Sequence, residues 1–191
     1  MNLTAPSTSN YNVPNALSAA RLVLAIVVCV LIELRCFFPA LICFVIAAST
    51  DFLDGWWARK YNQITKLGRI LDPFVDKTII CGAMIALVGI PESGIVAWMA
   101  ILVTCRELLV TSLRGLVEGS GGDFSAKQLG KWKMVAQCAA IVTVLLCLMQ
   151  VSPPAGWIWA RWLSIWAAVI LTVLSGLEYV MLVVRSNTPT L

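Results

Sequence analysis

The chain has 191 residues, 60% of them hydrophobic and only 13% charged, with a formal net charge of +4. That balance, with a mean hydropathy of +0.87, excludes an ordinary soluble domain. Histidine is absent and the seven cysteines (Cys29, Cys36, Cys43, Cys81, Cys105, Cys138, Cys147) are scattered without a CxxC, which argues against zinc and thiol redox chemistry.

A span of about 20 apolar residues crosses a bilayer. The chain holds roughly six such spans and no added soluble domain. The expectation is an all-α integral membrane protein with residues 1–191 as a single embedded domain. The polar stretch Met1 to Asn15 lacks a basic start and an obvious cleavage site, so it does not read as a signal peptide. Helix one is expected over Ala16 to Leu34, with a tight turn at Phe37-Phe38-Pro39. Helix two covers Ala40 to Lys60, and a short polar loop runs from Tyr61 to Lys66. Helix three covers Leu67 to Val88, with Pro73 near its start, where a missing N–H does least harm. Gly89-Ile90-Pro91 closes it. Helix four covers Gly94 to Val117, and Gly119 to Gly122 makes a flexible turn. Helix five covers Ala126 to Met149, and Ser152-Pro-Pro-Ala-Gly156 breaks the chain. Helix six covers Trp157 to Val184 and opens with an interfacial belt of Trp157, Trp159, Trp162 and Trp166.

Six spans put both termini on one side. Arg21, Arg59, Lys60, Lys66, Arg69, Lys77, Arg106, Arg114, Lys127, Lys131, Lys133 and Arg185 then share that side, and only Arg35 and Arg161 fall on the other. The positive-inside rule makes the richer side cytoplasmic.

Four carboxylates concentrate the chemistry. Asp51 and Asp54 end helix two, while Asp72 and Asp76 begin helix three. Spacings of i,i+3 and i,i+4 put each pair on one helix face. An antiparallel helix pair presents all four to one space, where they repel unless cations or protons neutralise them. Oxygen ligands without His or Cys suit Mg²⁺ or Mn²⁺. Two such ions about 3.5–4 Å apart could clamp a pyrophosphate. Gly55 and Ala58, one turn apart, open room for a nucleotide, and Gly68 allows close approach on the facing helix. With no histidine, a general base must be a carboxylate, Lys, Tyr or Cys.

Arg106 and Arg114 on helix four, with Lys131 and Lys133 on helix five, are candidates for a second, anion-binding pocket. Glu107 and Arg114 are seven apart and share a face, placed to pair. Lys131 and Lys133 lie about 200° apart around a helix and cannot serve one pocket equally. The Lys133–Gln137 face, offering a charge and an amide, is the preferred one over Lys127–Lys131. Arg21, at the start of helix one, fits either a phosphate contact or a positive-inside anchor. Trp56 and Trp57 read as interface packing.

The complete pattern is D-x2-D-G-x2-A-R-x8-G-x3-D-x3-D, filled by Asp51, Asp54, Gly55, Ala58, Arg59, Gly68, Asp72 and Asp76. It resembles the signature of the CDP-alcohol phosphatidyltransferases. Pro14 to Arg21, Leu71-Asp72-Pro73 with Asp76-Lys77, Arg106-Glu107, and Gly130 to Lys133 with Gln137 resemble the branch of that family that uses glycerol 3-phosphate. The resemblance implies that an acceptor hydroxyl attacks the β-phosphorus of a CDP-linked lipid and CMP leaves. It implies metal binding by Asp51, Asp54, Asp72 and Asp76, with Asp76 as the proposed base. It implies CDP-diacylglycerol binding by Asp51, Asp54, Gly55, Ala58, Arg59, Gly68 and Asp72. Acceptor phosphate binding falls to Arg106, Arg114, Lys133, Lys131, Gln137 and Arg21. A homodimer in a bacterial-type inner membrane, with a cytoplasmic active site, is expected. Competing readings are the same transfer to phosphatidylglycerol, inositol phosphate or serine, an Asp-rich prenyltransferase, and a divalent-cation transporter. The D-G-x2-A-R element argues against the prenyltransferase, and acids at helix ends argue against the transporter.

Overall fold

A computed structural model describes the backbone of residues 13–61, 66–119 and 128–186, and side chains within 18–50, 74–115 and 129–183. Six long helices follow one another: α1 (Val13–Glu33), α2 (Phe37–Tyr61), α3 (Lys66–Val88), α4 (Ala97–Gly119), α5 (Gln128–Leu148) and α6 (Ala155–Ser186). A short 3₁₀ turn, Pro91–Ser93, precedes α4. No strand occurs among the described residues. The six expected helices are all present. Their ends differ where local chemistry is decisive.

The first turn of the chain lies at Leu34 to Cys36, ahead of Phe37-Phe38-Pro39, where the sequence placed it. Arg35 adopts a left-handed φ of 57°. The Cys36 N–H donates to the Leu31 carbonyl at 2.8 Å and the Arg35 N–H to that of Ile32 at 2.9 Å, the paired bonds of a Schellman stop. Phe37 then starts α2 at once. Pro39 is its third residue, where a helix N–H has no internal partner, so proline initiates instead of breaking. Pro73 behaves differently from expectation. It is the eighth residue of α3, past the first turn, and removes one ladder hydrogen bond from a helix that continues through it.

The α3–α4 connection is tied by Ser93, which is fully buried. Its hydroxyl donates to the Leu87 carbonyl at 2.8 Å and accepts from the Ile95 N–H at 3.1 Å. Gly94 sits at φ 77°, so α4 begins at Ala97 and not at Gly94. α6 starts earlier than expected, with the Trp157 N–H on the Pro154 carbonyl at 2.9 Å.

α1 packs on α2 and α3, α5 on α6 and α2, and α4 on α6 and α3. Val28, Ile32, Phe44, Met84, Leu87, Val103, Ile141, Leu145 and Ile165 form the centre of one core drawn from all six helices. α1 and α3 approach closely at Gly82, where an added Cβ would lie 2.9 Å from the Cys29 sulfur. Small residues at such crossings gain van der Waals contact between backbones.

The outside of the bundle is apolar as well. Ile26 on α1, Ile46 on α2, Ile85 on α3, Ile101 on α4, Val135 on α5 and Leu163 on α6 are all exposed. Exposed large apolar side chains on every helix go beyond the scattered singles of a water-soluble surface and fit a lipid-facing exterior. Among the described residues, Leu129–Leu148 and Ala155–Val183 are long and apolar enough to cross a membrane, and Phe37–Thr50 is a shorter apolar run.

One end of the bundle collects Arg35 and Arg161, the two basic residues assigned to the poorer side. Arg35 lies 3.8 Å from the Glu92 carboxylate. Arg161 donates to the Glu92 carbonyl at 2.6 Å.

Candidate active site

A cavity of about 890 Å³ opens between α3, α4, α5 and α6. α3 contributes Asp76, Lys77 and Cys81. α4 contributes Thr104, Arg106, Glu107, Thr111 and Arg114. α5 contributes Gly130, Lys131, Lys133 and Gln137, and α6 contributes Tyr179. Five of these side chains are cationic (Lys77, Arg106, Arg114, Lys131, Lys133) against two acids, so the cavity favours an anion.

Glu107 organises the wall. It is 3% exposed. Its carboxylate accepts from the Lys133 ammonium in a buried ion pair. It also accepts from Arg106 Nη1 at 3.4 Å and Gln137 Nε2 at 3.4 Å. Gln137 spends its other donor on the Thr172 hydroxyl of α6 at 3.0 Å. Every partner is charged or fully engaged, as a buried carboxylate needs. The 3.6-residue period explains the lysines. Lys133 and Gln137 face inward and are buried, whereas Lys131 is exposed where it meets the cavity.

The pairing expected between Glu107 and Arg114 does not form. Lys133 and Arg106 reach Glu107 from closer positions, and Arg114 turns to α6, donating to the Tyr179 hydroxyl at 2.9 Å. Arg106 likewise donates to the Ser175 hydroxyl at 2.9 Å. The sequence reading missed this face of α6. Thr172, Ser175 and Tyr179 are spaced i, i+3, i+7 on a mostly apolar helix, and that stripe was the available signal.

Asp76 shares the cavity with Arg106, Arg114, Lys131, Lys133 and Gln137, so one base candidate and five anion-binding candidates are brought together. Asp76 lies close enough to Lys133 for their charges to interact. Arg21 is not on that wall. It is buried within α1, at 2% exposure. Asp51, Asp54, Gly55, Ala58 and Arg59 fall in the last turns of α2, and Gly68 and Asp72 in the first two turns of α3. Their side chains lie outside the described residues, as do those of Trp56 and Trp57. Residues 120–127, which hold Lys127 and all but the first residue of the turn expected at Gly119 to Gly122, lie outside them too.

A sequence profile described as CDP-alcohol phosphatidyltransferase matches residues 11–174. Three bacterial relatives carry the name CDP-diacylglycerol–glycerol-3-phosphate 3-phosphatidyltransferase. The protein from Bacillus subtilis (strain 168) is 41% identical over 141 residues, 72% of this chain and 69% of the relative. That from Cereibacter sphaeroides is 36% identical over 145 residues, 72% of this chain and 64% of the relative. That from Haemophilus influenzae is 31% identical over 181 residues, 88% of this chain and 91% of the relative. The match runs from α1 into α6 and takes in the whole acid motif and the α3, α4 and α5 walls of the cavity, which sets aside the prenyltransferase and transporter readings: this chain belongs to the CDP-alcohol phosphatidyltransferase family.

Proposed function

We infer that this chain transfers a phosphatidyl group from CDP-diacylglycerol to the hydroxyl of glycerol 3-phosphate, releasing CMP and forming phosphatidylglycerophosphate. The relatives' printed name supports the substrates. The observation that carries the reading is the shared cavity: Asp76 stands in the same space as the cationic side chains of Arg106, Arg114 and Lys131. A phosphorylated, water-soluble acceptor needs that combination, whereas serine or phosphatidylglycerol makes less use of several cations.

Asp51, Asp54, Asp72 and Asp76 are the donor set for divalent metal. The set fits a hard cation, since α2 and α3 offer two closely spaced carboxylate pairs and the chain contains no histidine. Bound Mg²⁺ or Mn²⁺, expected as a pair, would neutralise the pyrophosphate and lower the pKa of an oxygen it holds. The chain's own residues do the rest. Asp51, Asp54, Gly55, Ala58, Arg59, Gly68 and Asp72 seat the CDP-lipid. The acceptor hydroxyl oxygen forms a bond to the β-phosphorus, the bond to the CMP oxygen breaks, and Asp76 takes the hydroxyl proton. Arg106 and Arg114, with Lys131 at the rim, hold the acceptor phosphate. Lys133 and Gln137 support them through Glu107, and Arg21 remains a candidate for a lipid phosphate.

The setting is a multi-pass inner membrane with six spans forming one domain, both termini and the acid cluster at the cytoplasmic face, and a homodimer as the assembly. The apolar exterior of all six helices supports it. So does the meeting of Arg35 and Arg161 at Glu92, at one end of the bundle. Acceptor-dependent release of CMP by purified protein tests the reading. Equal release with unphosphorylated glycerol would remove its basis.

A further inference from the structure

We propose that Tyr179 is a positioning residue that sets acceptor specificity, by holding Arg106 and Arg114 as one paired clamp for a phosphate group. The inference rests on the acceptor reading above. Two guanidinium groups repel each other unless something stands between them or neutralises them. Tyr179 offsets part of that repulsion by contacting both. Its ring centroid is 5.8 Å from the central guanidinium carbon of Arg106 and 5.8 Å from that of Arg114. One aromatic ring therefore attracts both cations.

The ends of the arginines are fixed as well. Arg114 Nη2 donates to the Tyr179 hydroxyl, and Arg106 Nη2 to Ser175 one turn earlier on α6, each at 2.9 Å. Gly176 completes the seat. A Cβ there would come within 3.1 Å of Arg106 Cγ, so the arginine chain lies directly across the helix. Among the described residues, the Nε donors of both arginines are buried without a protein acceptor. Both residues line the cavity. A buried donor left unmatched is costly, and a tetrahedral dianion offers the oxygens to match two.

The clamp gives preference for a phosphorylated acceptor over the same molecule without phosphate. Lys133 cannot do this alone, because Glu107 already takes its charge. Tyr179 is 3% exposed, with its hydroxyl on Arg114 and its ring on both arginines, so it acts through them.

The test compares wild type with Tyr179→Phe, which keeps the ring, and Tyr179→Leu, which removes it. Two measurements are made on purified full-length protein: steady-state kinetics, and binding of inorganic phosphate by calorimetry. Tyr179→Phe is expected to raise the KM for glycerol 3-phosphate about 3–10-fold, from one lost hydrogen bond. The kcat and the KM for CDP-diacylglycerol stay within about twofold. Tyr179→Leu is expected to raise the acceptor KM by roughly tenfold or more and to weaken phosphate binding in step. Unchanged acceptor KM and phosphate affinity in both variants would overturn the proposal. So would a parallel loss in kcat and both KM values, which marks a structural role. If wild type prefers another acceptor, the acceptor reading fails by itself, and phosphate binding still decides the role of Tyr179.

Discussion

Lys133 and Glu107 form a buried ion pair that bridges α5 and α4 across the cavity wall, with Lys133 8% and Glu107 3% exposed. The pair fixes the two helices that carry most of the cationic side chains. Glu107→Gln should lower the stability of the bundle by about 3 kcal/mol, because it leaves the lysine charge buried with one fewer counter-charge. Glu107→Gln with Lys133→Met should cost less than the sum of the single changes, by about 1 kcal/mol or more. Denaturant titration in detergent micelles measures both. Additive losses would mean that the pair contributes no coupling.

Lys131 and Lys133 separate by burial. Lys133→Ala should disturb Glu107 and Arg106 and raise the glycerol 3-phosphate KM, whereas the exposed Lys131→Ala should do less. Initial rates against acceptor concentration give the ranking. A larger effect from Lys131 would mean that the acceptor lies on the Lys127–Lys131 side and not against the Lys133–Glu107 wall.

Much of this arrangement was legible in the sequence. The six helices stood out as apolar runs between glycine and proline breaks. Helical period separated Lys131 from Lys133, and the amide of Gln137 gave the reason to prefer the face that the structure buries. Two features were hidden for physical reasons. Proline at position 39 reads equally as a breaker or as a helix start, and only the Schellman stop at Arg35 distinguishes them. Apart from Arg106, the partners of Glu107 and Arg114 come from other helices. Spacing within α4 suggested that they pair with each other, while Lys133 and Tyr179 reach them from 26 and 65 residues away. The α6 stripe of Thr172, Ser175 and Tyr179 was masked by the strong apolar signal around it.

The acid motif should make activity metal-dependent. EDTA should abolish turnover, and added Mg²⁺ or Mn²⁺ should restore it. Asp51→Asn, Asp54→Asn and Asp72→Asn should each move the metal requirement to higher concentration. Wild-type turnover by all three at limiting magnesium would show that these acids hold no metal.

Asp76 should be distinguishable from those three. As the base, Asp76→Asn should lower turnover by about 10²–10⁴ while CDP-diacylglycerol still binds. A binding loss as large as the rate loss would assign Asp76 to metal retention instead.

The central claim is the acceptor. Purified protein is supplied with CDP-diacylglycerol, a divalent metal and one acceptor at a time: glycerol 3-phosphate, glycerol, serine, inositol phosphate or phosphatidylglycerol. The lipid product of each reaction is identified by its mass. A product with the mass of phosphatidylglycerophosphate, formed fastest with glycerol 3-phosphate and accompanied by equimolar CMP, is the predicted result. A dominant product from any other acceptor would contradict it.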